Sequence, residues 1–192
     1  HLGGPPERFR ETQMDIRNAV CEKWNSEIIW GATNSMVSTI QQYGLCNLSA
    51  SITPNQNSGP QGEYAPPLKI ARLFYTKNGL PINEDKTWDY AARYDLDTAT
   101  QDDRFYLYPG YVSARLNFDR EPRFYADLGF DGGIWYGQGQ YDDNAPLHVE
   151  GRAGAYSSKK RAEGYSITGY YAKKLVHYQT INGNDGKDVI QH

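Results

Sequence analysis

The sequence predicts a loop-rich α+β domain with few helices and short antiparallel strands. Three observations point there: two stretches with helical apolar spacing, one clear stretch of alternating apolar residues, and turn-forming residues nearly everywhere between them. Among 192 residues there are 19 Gly and 10 Pro, and Tyr outnumbers Phe by 16 to 6. A chain of this length makes one domain with a real core. Its tyrosine excess makes the aromatic surface amphipathic, apolar on the ring face and polar at the hydroxyl.

The first helix is expected over Pro5 to Trp24. Pro5 and Pro6 suit a helix start, Glu7 and Glu11 favour the positive end of the dipole, and Phe9, Ile16, Val20 and Trp24 fall near one face. A strand is expected at Glu27-Ile28-Ile29-Trp30, closed by Gly31. Thr33 to Pro67 is polar, rich in Asn, Ser, Gln and Gly, with Pro54, Pro60, Pro66 and Pro67. Loops of this length are uncommon in compact domains and are usually functional or disordered. Tyr43, Leu45, Leu48 and Tyr64 argue for partial packing there.

A second helix is expected from Pro67 to Lys77, with Ile70, Leu73 and Phe74 on one face and Asn78-Gly79 as its left-handed stop. Leu80-Pro81-Ile82 leaves it extended, and Trp88 to Arg104 reads as mixed coil and short helix. In Phe124 to Phe130 the residues Phe124, Ala126, Leu128 and Phe130 alternate, which predicts a strand. Asp131-Gly132-Gly133 turns the chain and Ile134-Trp135-Tyr136 returns as a partner strand. Tyr165 to Tyr178 reads as extended, Asn182 to Asp188 as a turn, and Val189-Ile190 as the restart of an apolar run.

Charge excludes some classes. Lys plus Arg total 20 against 23 for Asp plus Glu, a formal net charge of −3. A nucleic-acid binder needs a basic face to offset phosphates, and this balance supplies none. No run of roughly 18 apolar residues exists, so no membrane helix is expected. His1-Leu2-Gly3-Gly4-Pro5-Pro6 has neither a charged n-region nor an apolar core, so no signal peptide is expected there. Two cysteines, Cys21 and Cys46, are too few for a disulfide scaffold, although the even count permits one bridge.

Catalytic constellations are weak. Asp102-Asp103 and Asp142-Asp143 are candidate carboxylate pairs for glycoside hydrolysis by count alone, but sequence neighbours in polar turns read more simply as solvated loop residues. No Ser occupies a nucleophile elbow. His148 and His177 have no partners at metal-ligand spacing and read as surface or satisfied histidines. Asn182-x-Asn184-x-Gly186 starts like a calcium loop but lacks the later bidentate Glu, and Gly129 to Gly133 reads as a turn, not a phosphate cradle. What remains is an aromatic and amide inventory. A sugar ring presents an apolar C–H face ringed by hydroxyls, so its binder combines flat aromatics with hydrogen-bonding side chains. Asn34, Gln41, Gln42, Tyr43, Asn55, Asn57 and Tyr64 supply that mixture in one tract.

Asp119-Arg120-Glu121-Pro122-Arg123-Phe124-Tyr125-Ala126, followed by Gly129-Phe130-Asp131-Gly132-Gly133 and Trp135-Tyr136, resembles the signature of the SusD/RagB family of outer-membrane nutrient-binding lipoproteins. Glu27 to Trp30, Phe74 to Ile82 and Thr168 to Leu175 resemble further family segments in the right order, so the likeness spans about Glu27 to Val176. Family members are much longer, with a lipidated cysteine and tetratricopeptide-like helical pairs on both sides, giving a mainly α superhelix. The likeness therefore implies that residues 1–192 are a single partial domain from the middle of that fold, with a variable loop over 33–67 and a signature hairpin over 119–136. It implies structural roles for Arg120, Glu121, Pro122 and Arg123, with one arginine paired to Glu121 or a nearby loop carboxylate, and a buried Phe124.

The likeness further implies a non-catalytic subunit that binds oligosaccharides at the outward face of the outer membrane, needs no cofactor or metal, and passes glycans to a SusC-like TonB-dependent transporter. Any membrane attachment is through a lipid anchor, and no nucleic acid is involved. Family ligand contacts commonly come from the loop after the Glu27 to Trp30 segment, which points to Tyr43 and Tyr64 as platforms and to Asn34, Asn55 and Asn57 as hydroxyl partners. The alternatives are binding of non-sugar nutrients such as peptides, or a glycoside hydrolase fragment using Asp102, Asp103, Asp142 or Asp143.

Overall fold

The computed structural model describes residues 6–22, 24–31, 37–48, 62–138, 142, 144–160 and 162–181. Within them lie α1 (Pro6–Cys21), α2 (Val37–Gly44), α3 (Leu68–Leu73), β1 (Leu96–Thr98), β2 (Val112–Ala114) and α4 (Pro122–Asp127). Short 3₁₀ turns occupy Gln101–Asp103, Arg115–Asn117 and Lys173–Leu175. β1 and β2 pair antiparallel, with Leu96 opposite Ala114, Asp97 opposite Ser113 and Thr98 opposite Val112. Elsewhere backbone pairing is reduced to isolated bridges, among them Tyr75–Pro81, Leu107–Gly133, Gly129–Tyr171 and Ile134–His148. No helix among the described residues is long and apolar enough to cross a membrane.

α1 starts within one residue of the expected place, but it buries a different face. Gln13 and Arg17 point inward, at 8% and 2% exposure, while Val20 and Trp24 stay exposed at 49% and 76%. Arg17 turns inward because carbonyls wait for it. Its Nε and Nη2 donate to the Val176 carbonyl at 3.2 and 2.5 Å, and its Nη1 to the Tyr136 carbonyl at 2.9 Å. A guanidinium's planar fork suits such multiple acceptance. Phe9 keeps its expected packing role, stacking on Phe105 with an edge contact to Tyr106.

Three expected strands are absent from the structure: Glu27 to Trp30, Phe124 to Phe130 and the returning Ile134 to Tyr136. Glu27 to Trp30 forms turns, with the Glu27 and Ile28 amides held by the Asn25 side chain and carbonyl. Asn competes for backbone in this way and favours turns. Ile29 and Trp30 consequently stand in solvent. The alternating segment at Phe124 to Phe130 begins as a helix: Pro122 fixes the first helical position, and Phe124, Tyr125, Ala126 and Asp127 are all buried. Packing on every side removes the one-sided pattern that alternation implies. The turn at Asp131-Gly132-Gly133 is present, closed by the Gly133 amide on the Phe130 carbonyl. Gly133 of the turn bridges to Leu107, and the flanking Gly129 and Ile134 bridge to Tyr171 and His148 rather than to each other.

α3 is shorter than the expected Pro67 to Lys77, and Ile70 and Leu73 on its expected buried face are exposed, while Ala71 is fully buried. It stops because Phe74 turns extended. Arg120 meets the end of α3, donating to the carbonyls of Ala71 at 2.8 Å, Phe74 at 2.6 Å and Tyr75 at 3.3 Å, and also to Leu116 at 2.6 Å. A cation at a helix C-terminus complements the dipole. Burial lowers the Arg120 pKa to about 10. Arg123 is the arginine that pairs with Glu121, at 2.8 Å, and Phe124 is buried. Asn78-Gly79 serves a turn between the bridged residues Tyr75 and Pro81, with Gly79 at φ +75°.

Among the described residues two apolar clusters fill the interior. One gathers Trp88, Leu107, Leu116, Phe124, Tyr125 and Phe130. The other gathers Leu45, Leu48, Trp135, Val149 and Val176. Tyr170 enters the first and Tyr171 the second, as successive residues of an extended segment must. Each hydroxyl is satisfied, Tyr170 on Asn117 Oδ1 at 2.9 Å and Tyr171 on the Ser157 carbonyl at 2.8 Å. Cys21 and Cys46 are free thiols, so the permitted bridge is not made. Cys46 is buried in the second cluster, while Cys21 Sγ donates to the Lys174 carbonyl at 2.8 Å. Burial pushes the Cys21 pKa up to about 11 and that of Cys46 higher still.

Candidate functional site

Part of the expected loop folds onto the second cluster. α2 occupies Val37–Gly44, and the Leu45 amide closes its last turn on the Gln41 carbonyl at 3.0 Å. Leu45, Cys46 and Leu48 are each at most 3% exposed, and they anchor the tract in the core. Gly44 allows this approach: a Cβ there would lie 3.1 Å from Val176 Cγ2 and 3.3 Å from the Ala172 carbonyl oxygen. The described chain resumes at Gly62, whose φ of +61° and position 2.7 Å from the Tyr171 ring, measured from where a Cβ would sit, both require glycine.

This framework brings Tyr43 and Tyr64 together. The Tyr64 amide donates to the Tyr43 carbonyl at 3.1 Å, and the Ala172 amide donates to the Tyr64 carbonyl at 3.2 Å. Their rings meet edge to face, with centroids 5.7 Å apart at 75°. Tyr43 is half-buried and Tyr64 is 38% exposed, so the pair joins a supported ring to one that meets solvent. Such a pair offers a flat apolar face and a hydroxyl at a fixed place. Thr168 Oγ1 ties down the chain just beyond Tyr64 by donating to the Pro66 carbonyl at 2.8 Å.

The other members of the inventory divide. Gln41 turns inward, its Oε1 accepting from the His177 amide and from Thr180 Oγ1, so it braces α2. Gln42 is exposed. Asn34, Asn55 and Asn57 lie outside the described residues, as do Asp143 and the Asn182 to Gly186 tail.

The carboxylate pairs do not assemble a hydrolytic centre among the described residues. Asp103 closes a capping box on Thr100, accepting from its amide and Oγ1 at 2.8 Å each, and Asp102 is exposed beside it. Asp142 accepts from the amide and Nδ2 of Asn144 within a turn. Among the described residues no group of three or more His, Cys, Asp or Glu side chains converges. His177 is buried and accepts the Gln179 amide at Nδ1. His148 is half-buried, stacked on Tyr108 with centroids 4.0 Å apart. Sequence spacing gave no sign of that contact, since the two rings are brought together by the bridge between Ile134 and His148.

One strongly perturbed group is a cation sealed in the interior. Lys173 is 2% exposed, donates to the Ile134 carbonyl at 3.1 Å, and has its pKa lowered to about 7, first by burial and then by the Arg17 charge. Burial raises Asp127, whose nearest cation is Lys174 at 3.2 Å. With Lys173 sealed from solvent, this group supports structure, not chemistry.

The sequence profile of the SusD family matches residues 26–190. No curated protein matches the chain. Among solved structures, the chain superposes on BT4246 with a TM-score of 0.74 at 24% identity, covering 98% of this chain and 30% of that one. A second structure, selenomethionine BT4246, gives 0.71 at 25% identity, covering 95% and 30%. The chain thus spans 30% of the length of those solved chains. It belongs to the SusD family, and its architecture is a loop-rich α+β part of a SusD-like fold.

Proposed function

We propose that this SusD-family chain is part of a non-catalytic carbohydrate-binding protein of the outer cell surface, which presents oligosaccharides to a SusC-like TonB-dependent transporter. The observation that carries the reading is the family match over residues 26–190, which contains the Tyr43–Tyr64 pair. Within that match, an exposed tyrosine supported edge-on by a second ring suits the apolar face of a sugar. Asn34, Asn55 and Asn57, in the same tract, are the hydroxyl partners of this reading. Binding without cleavage asks only for such a surface.

The test is a glycan array probed with the chain itself, beside assays on chromogenic glycosides. The reading predicts capture on at least one glycan family and no hydrolysis. Hydrolysis that disappears in Asp102→Asn or Asp142→Asn would replace it with the glycosidase reading. Capture of peptides in place of glycans would replace it with uptake of a non-sugar nutrient.

A further inference from the structure

A second aromatic platform lies away from α2. Tyr108-Pro109-Gly110-Tyr111 forms a tight turn, closed by the Tyr111 amide on the Tyr108 carbonyl at 3.0 Å, with Gly110 at φ +81°. Proline followed by a positive-φ glycine is the pattern of a type II turn. The turn sets two tyrosines against one histidine: Tyr108 stacks on His148 at 4.0 Å, and Tyr111 meets it edge-on at 5.5 Å. The backbone fixes both sides, through the Tyr108 amide on the Gly132 carbonyl at 2.9 Å and the bridge from His148 to Ile134. With its ring stacked on His148, Tyr108 is still 37% exposed, so part of the side of the residue away from His148 is free to meet a ligand.

Charged hydrogen-bonding groups surround these rings. Glu150 Oε1 lies 3.4 Å from His148 Nε2. Asp131 Oδ1 accepts from Tyr111 Oη at 2.7 Å and from the Gly151 amide at 2.8 Å. Arg152 lies over the Tyr111 ring at 4.9 Å and donates to Asp131 Oδ2 at 3.4 Å and to the Val112 carbonyl. The side chains of Glu150, Asp131 and Arg152 are 38%, 29% and 50% exposed. Acceptors and a donor thus flank a rigidly held, partly exposed ring.

We propose that Tyr108, Tyr111, His148, Glu150 and Arg152 form a second carbohydrate subsite, which takes one neutral pyranose ring stacked on Tyr108. The inference rests on the glycan-binding reading above and shares no residue with the Tyr43–Tyr64 pair. Carboxylates of Glu150 and Asp131 accept from sugar hydroxyls, and Arg152 donates to ring or glycosidic oxygens. Two carboxylates against one guanidinium disfavour a uronic acid or a sulfated sugar. Burial holds His148 below its ordinary value, which leaves the supporting ring uncharged at neutral pH.

Native gels cast with amylopectin, galactomannan, laminarin or anionic polygalacturonate test this on the whole chain. The wild type should be retarded on at least one neutral gel and not by polygalacturonate alone. Tyr108→Leu keeps apolar volume on His148 but removes the flat face, and should weaken retention about tenfold or more. Tyr108→Trp should preserve it, and Tyr64→Ala should leave a residual part. Arg152→Gln alters a half-exposed side chain that rests on Tyr111 and not on the Tyr108–His148 pair, so its loss of retention at an unchanged thermal midpoint reports the subsite even if Tyr108→Leu folds poorly. Retention unchanged in both Tyr108→Leu and Arg152→Gln overturns the subsite and leaves the glycan reading standing. Retention by polygalacturonate alone overturns the neutral-sugar assignment, and retention on no gel overturns both.

Discussion

Lys173 makes a quantitative test of how the interior is built. Its ammonium is buried beside the Arg17 guanidinium, so the folded protein binds that proton weakly, with a pKa of about 7 against an ordinary 10.5. Between those values the unfolded chain carries a proton that the folded chain has lost, and stability must rise with pH. From about pH 7 to about pH 8.5 linkage gives a gain on the order of 1 to 2 kcal/mol from this lysine. The cysteines oppose it, because burial raises both thiols and the unfolded chain ionises them first as pH approaches 9.0. Their combined loss over that window is a small fraction of the lysine's gain, so the net gain is still on the order of 1 kcal/mol. In urea titrations this moves the midpoint up by about 0.5 M. Lys173→Met keeps the apolar stem and removes the buried charge, so its midpoint should be flat or fall slightly over the same range. A wild-type midpoint that is flat or falls, or a variant that rises in parallel with it, refutes the account of a buried and mostly deprotonated lysine.

Other consequences rest on single positions. Arg120→Met leaves the carbonyls of Ala71, Phe74, Tyr75 and Leu116 without their shared donor. It should cost about 3 kcal/mol or more in denaturant unfolding, and a loss under about 1 kcal/mol would show that the hub is dispensable. Gly62→Ala combines positive φ with a Cβ 2.7 Å from Tyr171, whereas Gly79→Ala meets positive φ in open space. Thermal unfolding should therefore show a clearly larger loss for Gly62→Ala, roughly 2 kcal/mol against about 1 kcal/mol; equal losses would contradict the packing assigned to Tyr171.

Local signals carried some of the structure. The start of α1 was legible because Pro5, Pro6 and an acidic first turn mark a helix start, whereas its end at Cys21 falls three residues short of the expected Trp24. Its buried face was not legible, because Arg17 turns inward toward carbonyls 119 and 159 residues away. Leu45 and Leu48 stood out as packing residues by being apolar in a polar tract, and they are buried. α4 is not legible as a helix because its six residues, the last four of them all buried, are too few for a helical period to show. The architecture followed from family strings such as Asp119 to Ala126, whose Arg120 proved to be a carbonyl hub. Tyr43 and Tyr64 were legible as candidates from composition, but their contact depends on Gly62 lying against Tyr171. The Tyr108–His148 stack was invisible in the sequence, since it joins residues that only the fold brings close.

Glycan binding through Tyr64 is tested most directly by titrating an oligosaccharide captured on the array into wild type, Tyr43→Ala and Tyr64→Ala by calorimetry. Truncating an aromatic anchor costs roughly 1–3 kcal/mol, about fivefold to 150-fold in Kd. Weakening of that size in Tyr64→Ala, with the thermal midpoint retained, is the expected result. Wild-type affinity in both variants would contradict the site, and absence of heat in the wild type would contradict carbohydrate binding by this chain.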